Sequence, residues 1–373
     1  MRPPDLSFVD GLIDPAYLDS SAVATAYVRA HVARILARLD LWSRVVAPMT
    51  LDELANLLGI VPGARQAFAW LVGETVRDGR AVRDDSGRYM PIADRRPTDA
   101  DWAAASAAVD AQAATIAASR AMFDYVASHY PEFLTGARSA PAILLRGDGL
   151  TRWESYFSAA NPLYDVHNQA AALALRQIWP AAPTPLHVIE VGAGTGGASA
   201  AIANAIANLD AGAGSTFTIT DIAPSLLVRA LERLGDRRIT ARRRLDFDRP
   251  LAPQGFDAGS ADVCVAVNTL HAARDPATAI AGLRAALSPG GCLVISESVC
   301  ASDASVHQEF IFSLLPSERA GSRFLSGAEW RTLLRACAPG AALAVNSRPP
   351  ELAMVAVVPA ASPASSAPGP APA

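Results

Sequence analysis

The chain has 373 residues, 51% of them hydrophobic, and a formal charge of −4 at pH 7. That length allows two domains around a sizeable core. No uninterrupted apolar run reaches the roughly 18 residues of a membrane helix, and net acidity argues against a large nucleic-acid footprint. The start lacks an apolar leader, all 32 basic residues are arginine, and the four cysteines form no C-x-x-C pair. A cytoplasmic chain with reduced core thiols is therefore expected, and no lysine is available as a nucleophile.

The spacing of Val23, Tyr27, Ala30, Ile35 and Leu39 predicts a helix over 15–41. Thr50 and Glu53 form a capping box that opens a second helix. Gly59 closes it, Pro62 and Gly63 make a turn, and a third helix follows over 64–76. "AVRDDSGRYM" predicts a hairpin turning over 84–87. Helix, turn, helix, hairpin is a winged-helix pattern, and it sets off residues 1–100. If this module bound DNA, the helix over 64–76 would offer Arg65 as its base among Gln66, Phe68, Trp70 and Leu71. That apolar bulk suits a protein contact or substrate-side role better. It also motivates the expectation of a homodimer through residues 1–100.

Residues 101–180 read as a helical connector. Its first stretch, 102–119, is expected as one soluble helix, and loops are expected at Pro131, at "GARSAP" and at Pro162. Residues 181–359 then alternate strand and helix, with strands expected at 188–191, 216–220, 240–245, 263–268, 292–297, 342–346 and 352–358. This alternation predicts an α/β fold, a doubly wound Rossmann-like sheet of seven strands. Only "SRPP" separates the last two strands, so they should pair antiparallel. The Pro-, Ala- and Ser-rich tail, 360–373, is expected to be disordered.

"LHVIEVGAGTGGAS" places Gly192, Gly194, Gly196 and Gly197 directly after the first of the seven strands. Glycines at that density weaken a strand but suit a turn that cradles a ligand. A hydride-transfer enzyme would show G-x-G-x-x-G, and the spacing here differs. Glu190 stands inside the strand, where a carboxylate needs a partner. A cationic cofactor group or the following turn could supply it. Acids recur at neighbouring strand ends: Asp221, Asp246 and Glu297. Asp221 can accept both ribose hydroxyls, Asp246 can take the exocyclic amine of adenine, and Phe247 can wall the ring. Together with the glycine turn, these acids point to an adenosine cofactor bound at the carboxyl edge of the sheet.

These strings resemble a known family. "IEVGAGTGG", "TDIAPS", "LDFD…QGF", "NTLHAARD" and "SPGG" follow the order and spacing of class I S-adenosylmethionine-dependent methyltransferases. More narrowly, the chain resembles the C-methyltransferase domains of polyketide synthases and related peptide synthetases. "LTRWESYFSAANPLYDVHNQ" and "FSLLPSERAGSRFLSGAEWRTLLRAC" extend that likeness over roughly the last two thirds of the chain. The winged-helix pattern resembles instead free-standing small-molecule O-methyltransferases, where it packs against a second subunit. His167 stands where relatives often carry an aromatic residue.

The resemblance implies S-adenosylmethionine as cofactor and no metal. Glu190, Gly192, Ala193, Gly194, Thr195 and Gly196 would hold its methionine end. Asp221, beside Ile222, would take the ribose, Asp246 and Phe247 the adenine, and Asn268 would line the pocket. His271 and Glu297 match the family's catalytic dyad, with Glu297 orienting His271 as base. His167 is a second candidate, but with no partner visible in the sequence it reads as structural, and His31, His129, His187 and His307 lack a supporting pattern. The implied reaction is C-methylation of a β-ketoacyl acceptor, free or borne by a carrier protein. O-methylation of a free hydroxyl or carboxyl acceptor is the alternative. A cofactor-sensing, DNA-binding regulator is a third reading, disfavoured by the dyad and by the negative charge.

Overall fold

Helices dominate the chain as far as Ile178. The computed structural model describes residues 4–179, 185–209, 214–235, 239–301, 305–316, 322 and 324–361. In chain order the first helices are α1 (Val9–Leu12), α2 (Pro15–Arg38), α3 (Leu41–Arg44), α4 (Leu51–Leu57) and α5 (Arg65–Arg77). The hairpin β1 (Ala81–Arg83) and β2 (Tyr89–Pro91) follows. Then come α6 (Asp99–Ala111), α7 (Ala113–Leu134), α8 (Ala140–Leu144), α9 (Gly147–Tyr156) and α10 (Pro162–Ile178). The capping box forms as its spacing predicts: Glu53 N–H donates to Thr50 Oγ1 (3.2 Å) and Thr50 N–H to Glu53 Oε2 (2.7 Å).

Helices α4 and α5 and the hairpin follow in the expected order, but α5 does not face solvent with its apolar side. Phe68 and Leu71 are fully buried in the chain's own core. Trp70 donates its indole N–H to Glu309 at 2.8 Å, and Arg65 is bound to Asp52 at 2.7 Å. The residues that suggested a self-association face therefore pack inside one chain.

Three details of the connector differ from expectation. The stretch expected as one helix breaks at Gln112 into α6 and α7. Pro131 makes no loop, because α7 runs through it. A proline so close to a helix end breaks few backbone bonds, and Tyr130, Phe133 and Leu134 around it are buried. Pro162 begins α10, where its missing N–H would be unsatisfied in any helix.

The sheet strands are β3 (His187–Val191), β4 (Thr216–Asp221), β5 (Ala241–Arg244), β6 (Ala261–Val267), β7 (Leu287–Ser298), β8 (Ala342–Val345) and β9 (Ala353–Pro359). Between them lie α11 (Gly197–Leu209), α12 (Pro224–Leu234), α13 (Pro276–Ala286), α14 (Val306–Phe312) and α15 (Gly327–Cys337). The strand order is β5-β4-β3-β6-β7-β9-β8. β9 pairs antiparallel with both β7 and β8, while the strands from β5 to β7 are mutually parallel. One core cluster joins α2, α5, α7 and α10 to one face of the sheet, and a second packs α13 and α15 on the other. The buried thiols of Cys264 and Cys292 sit in strands β6 and β7, where burial pushes both up to about 12. Among the described residues, no helix is long and apolar enough to cross a membrane. The Pro-, Ala- and Ser-rich tail lies almost wholly outside the described residues.

Candidate active site

The chain leaves β3 towards β4 on one side and later returns to β6 on the other, so the carboxyl ends of β3 and β6 flank a topological switch point. The glycine turn opens there. Gly192 has φ of 74°, and a Cβ on it would lie 1.9 Å from Thr269 Oγ1. Glycine thus lets the loop after β6 close onto the turn. A Cβ on Gly197 would lie 1.8 Å from the carbonyl oxygen of Phe157. That glycine serves the approach of the helical connector, a role its place in the motif does not disclose.

Asp221, at the end of β4, organises the turn. Its Oδ2 accepts the N–H of Gly194 (2.9 Å) and its Oδ1 that of Ala223 (2.8 Å). Burial raises its carboxyl above the usual range, while these N–H bonds pull it down.

A cleft runs over this turn, with about 670 Å³ of empty space including its open mouth. Its floor is formed by Gly192, Ala193, Gly194, Thr195, Asp221 and Asn268, all expected from the sequence. Trp153, Phe157, Tyr164, Asn168 and Phe312 face them. Sequence reasoning missed this second wall. The aromatic density of "WESYFSAANPLY" was the available signal.

Other expected residues stand elsewhere. Gly196 and Ile222 flank the turn without lining the cleft, and Ile222 is exposed (55%). Glu190 is buried beneath the turn and accepts the Ser199 hydroxyl at 2.5 Å. Burial pushes its carboxyl up to about 8, so a serine on the following helix partners it in this structure. Asp246 and Phe247 lie on the next loop outward. Register places Arg244 beside Asp221. Asp246 accepts the N–H of Asp248 (3.1 Å) and pairs with Arg249 (3.2 Å).

Asn268 ends β6 in the left-handed region, with φ of 45°, a conformation asparagine tolerates better than most residues. Its N–H donates to Ser296 O (2.8 Å), and its Oδ1 accepts the N–H of Ser298 (2.6 Å). Just beyond lies the expected dyad. Glu297 is fully buried; its Oε1 accepts the N–H groups of Thr269 (2.8 Å) and Leu270 (2.6 Å), and its Oε2 lies 2.7 Å from His271 Nδ1. A carboxylate at that distance fixes the proton on Nδ1 and leaves Nε2 as the basic nitrogen. His271 stands next to the cleft rather than in its wall: its ring is 5.8 Å from that of Phe312, which lines it.

The remaining histidines have other partners. His167 is fully buried, contacts Ser298 Oγ at 3.0 Å and is held neutral by burial, which pulls it down to about 3. His31 lies 2.9 Å from Asp124, and His187 and His307 bond threonines (3.2 Å each). His129 is 3.3 Å from Glu132. Among the described residues, no cluster of three His, Cys, Asp or Glu side chains could hold a metal ion.

The lining fits S-adenosylmethionine. The cradle is made of glycines, Asp221 stands at the second strand end, and two lining atoms, Asn168 Oδ1 and Thr195 Oγ1, are buried without a hydrogen-bond partner among the described residues. Residues 189–293 match the family described as a methyltransferase domain. Sheet order, cleft and domain match define a class I S-adenosylmethionine-dependent methyltransferase, an enzyme that resembles the C-methyltransferase domains of polyketide synthases.

Its relatives sharpen the comparison. Over 239 residues it is 32% identical to polyketide synthase ThaQ of Burkholderia thailandensis, covering 60% of this chain and 11% of that one. Over 271 residues it is 30% identical to polyketide synthase ThaG of the same organism, covering 71% of this chain and 4% of that one. The chain therefore spans a small part of these relatives. Among solved structures, the citrinin polyketide synthase CMeT domain matches with a TM-score of 0.80 at 18% identity, covering 95% of both chains. The CurJ carbon methyltransferase matches at 0.78 and 20%, covering 96% of both. The trans-methyltransferase CalH, solved with S-adenosylhomocysteine, matches at 0.67 and 23%, covering 93% of this chain and 92% of that one. The likeness in fold thus extends beyond the last two thirds of the chain to include the front helices.

Proposed function

We propose that this enzyme C-methylates a β-ketoacyl thioester, with His271 as the base and a carrier protein presenting the acceptor. The observation that carries the reading is the buried contact between Glu297 Oε2 and His271 Nδ1 at 2.7 Å. Transfer to a thioether sulfur or an ionised oxygen needs no base, whereas a carbon acid between two carbonyls must lose a proton. When bound, S-adenosylmethionine supplies an electrophilic methyl group. His271 Nε2 accepts the acceptor's α-proton, the C–H electron pair moving into the enolate. Glu297 stabilises the imidazolium that results, without taking its proton. Gly192, Ala193, Gly194, Thr195 and Asn268 hold the methionine end, and Asp221 takes the ribose. Asp246 and Phe247, with Ile222 nearby, would hold the adenine. The names of the relatives, polyketide synthases among them, support the choice of acceptor. Burial of Phe68 and Leu71 removes the support for a homodimer through the front helices.

The test uses methyl-labelled donor with acetoacetyl-type thioesters, free and carrier-bound, and locates the label by mass spectrometry. Label on the α-carbon, lost in His271→Ala, is the expected result. Label on oxygen, or full activity in His271→Ala, overturns the reading.

A further inference from the structure

Cleft and charge together raise a question the dyad does not answer. The donor carries a sulfonium cation, and its spent form is a neutral thioether. Among the described residues lining the cleft, Asp221 is the one acid. Both of its oxygens are engaged with backbone N–H groups at the ribose side. Glu190 is buried under the turn and bound to Ser199, and Glu297 is spent on two backbone N–H groups and His271. Of these carboxylates only Asp221 lines the cleft, and it is turned towards the backbone N–H groups of Gly194 and Ala223.

What the cleft does offer is π surface. Trp153, Phe157, Tyr164 and Phe312 line it together, opposite the glycine turn. They come from α9 and its C-terminal cap, from α10 and from α14. Their rings form one cluster: Trp153 to Phe157 at 4.5 Å, Phe157 to Tyr164 at 4.6 Å, Phe157 to Phe312 at 5.7 Å and Trp153 to Phe312 at 6.2 Å. The carbonyl of Phe157 rests on Gly197, which seats this cluster against the turn. Aromatic faces attract cations, most strongly where water is excluded. Burial also raises the Tyr164 hydroxyl above its ordinary range, so it stays protonated and adds no anion.

We propose that Trp153, Phe157, Tyr164 and Phe312 form an aromatic box that reads the sulfonium charge, so that the site prefers the charged donor over the neutral thioether product. These four rings line the same cleft as Gly192 and Asp221, the residues that would hold the two ends of the donor. Loss of the charge on methyl transfer removes the attraction and favours product release. The proposal concerns the donor side and does not depend on which atom of the acceptor is methylated.

The test is calorimetric titration of the full chain with S-adenosylmethionine and with S-adenosylhomocysteine. Trp153→Leu and Phe312→Leu keep apolar bulk but remove the π face, and Trp153→Phe restores it. The Leu variants should bind S-adenosylmethionine about 5- to 30-fold more weakly, the span expected for a desolvated cation–π contact, and S-adenosylhomocysteine less than about 2-fold more weakly; Trp153→Phe should recover most of the loss. Equal weakening of both ligands in the Leu variants overturns the proposal, because the rings then merely pack. Unchanged affinity for both, with a raised KM for the acceptor, also overturns it and assigns the rings to the acceptor channel. Should Phe312→Leu unfold, the part-exposed Trp153 and a Tyr164→Leu variant carry the same comparison.

Discussion

Replacing Glu297 by glutamine separates its two duties. In the folded chain its Oε1 accepts two backbone N–H groups, from Thr269 and Leu270, and its Oε2 faces His271 Nδ1. A glutamine can keep both backbone bonds only by placing its carbonyl oxygen on the Oε1 side. Its NH₂ group then meets Nδ1, which must become an acceptor, and the ring proton moves to Nε2. The opposite orientation would aim NH₂ at two N–H donors and leave both unpaired, at about 1–3 kcal/mol each. Glu297→Gln should therefore fold with little loss of stability while holding His271 in the tautomer that cannot act as base. Turnover should fall by about 10²–10⁴-fold, the usual worth of a positioned base, and thus as far as in His271→Ala. The double variant should be little worse than either, because the pair acts as one unit. Two assays check this: methyl transfer from labelled donor, and exchange of the acceptor's α-proton in D₂O with S-adenosylhomocysteine bound. Near-normal exchange in Glu297→Gln, with the cofactor still bound, would refute the assignment of Nε2 as the base.

Asp221→Ala should weaken S-adenosylhomocysteine binding by on the order of 1.5–3 kcal/mol, since it removes a charged acceptor and frees the N–H of Gly194; calorimetry giving an unchanged Kd would misplace the ribose. Gly197→Ala should destabilise the fold by about 1–3 kcal/mol, the range for overpacking, because its Cβ would meet the Phe157 carbonyl at 1.8 Å, and a normal denaturation midpoint would show the connector to be mobile there. Glu190, held at about 8 in the fold by burial, keeps a proton that the unfolded chain releases from about pH 4.5 upwards. Its contribution to stability is thus present below the unfolded value and lost as pH rises through about 8. Urea midpoints should fall across that window in the wild type and stay flatter in Glu190→Gln; parallel profiles would contradict the burial argument.

Much of the catalytic half was legible because its signals are local. A strand of β-branched residues, a turn that only glycine permits and an acid at the next strand end occupy short windows, and each has one economical geometry. The dyad was legible through its string and through Glu297 falling at a strand end. Its second task, accepting the N–H groups of Thr269 and Leu270, depends on register between β6 and β7, which no local pattern encodes. The argument for a homodimer lost its footing for the same kind of reason. Phe68, Trp70 and Leu71 are apolar whether they face a partner or the chain's own core, and α2, α7 and α14 decide the matter.

The second wall of the cleft was the least legible part, and its origin explains why. Trp153, Phe157 and Tyr164 lie close together where α9 gives way to α10, and aromatic residues there read as ordinary core. Phe312 comes from a helix far along the chain. Nothing short of tertiary packing tells that these rings share one space, or that it lies over a glycine turn. The acids were conspicuous in the sequence because an isolated carboxylate in a strand demands a partner. In the fold most of those demands are met internally: Glu190 by Ser199, Glu297 by a loop and an imidazole, Asp221 by its own turn. The cleft is thus lined by a single acid among its described residues and by four aromatic rings, and it is on those rings that the proposed preference for a cationic donor rests.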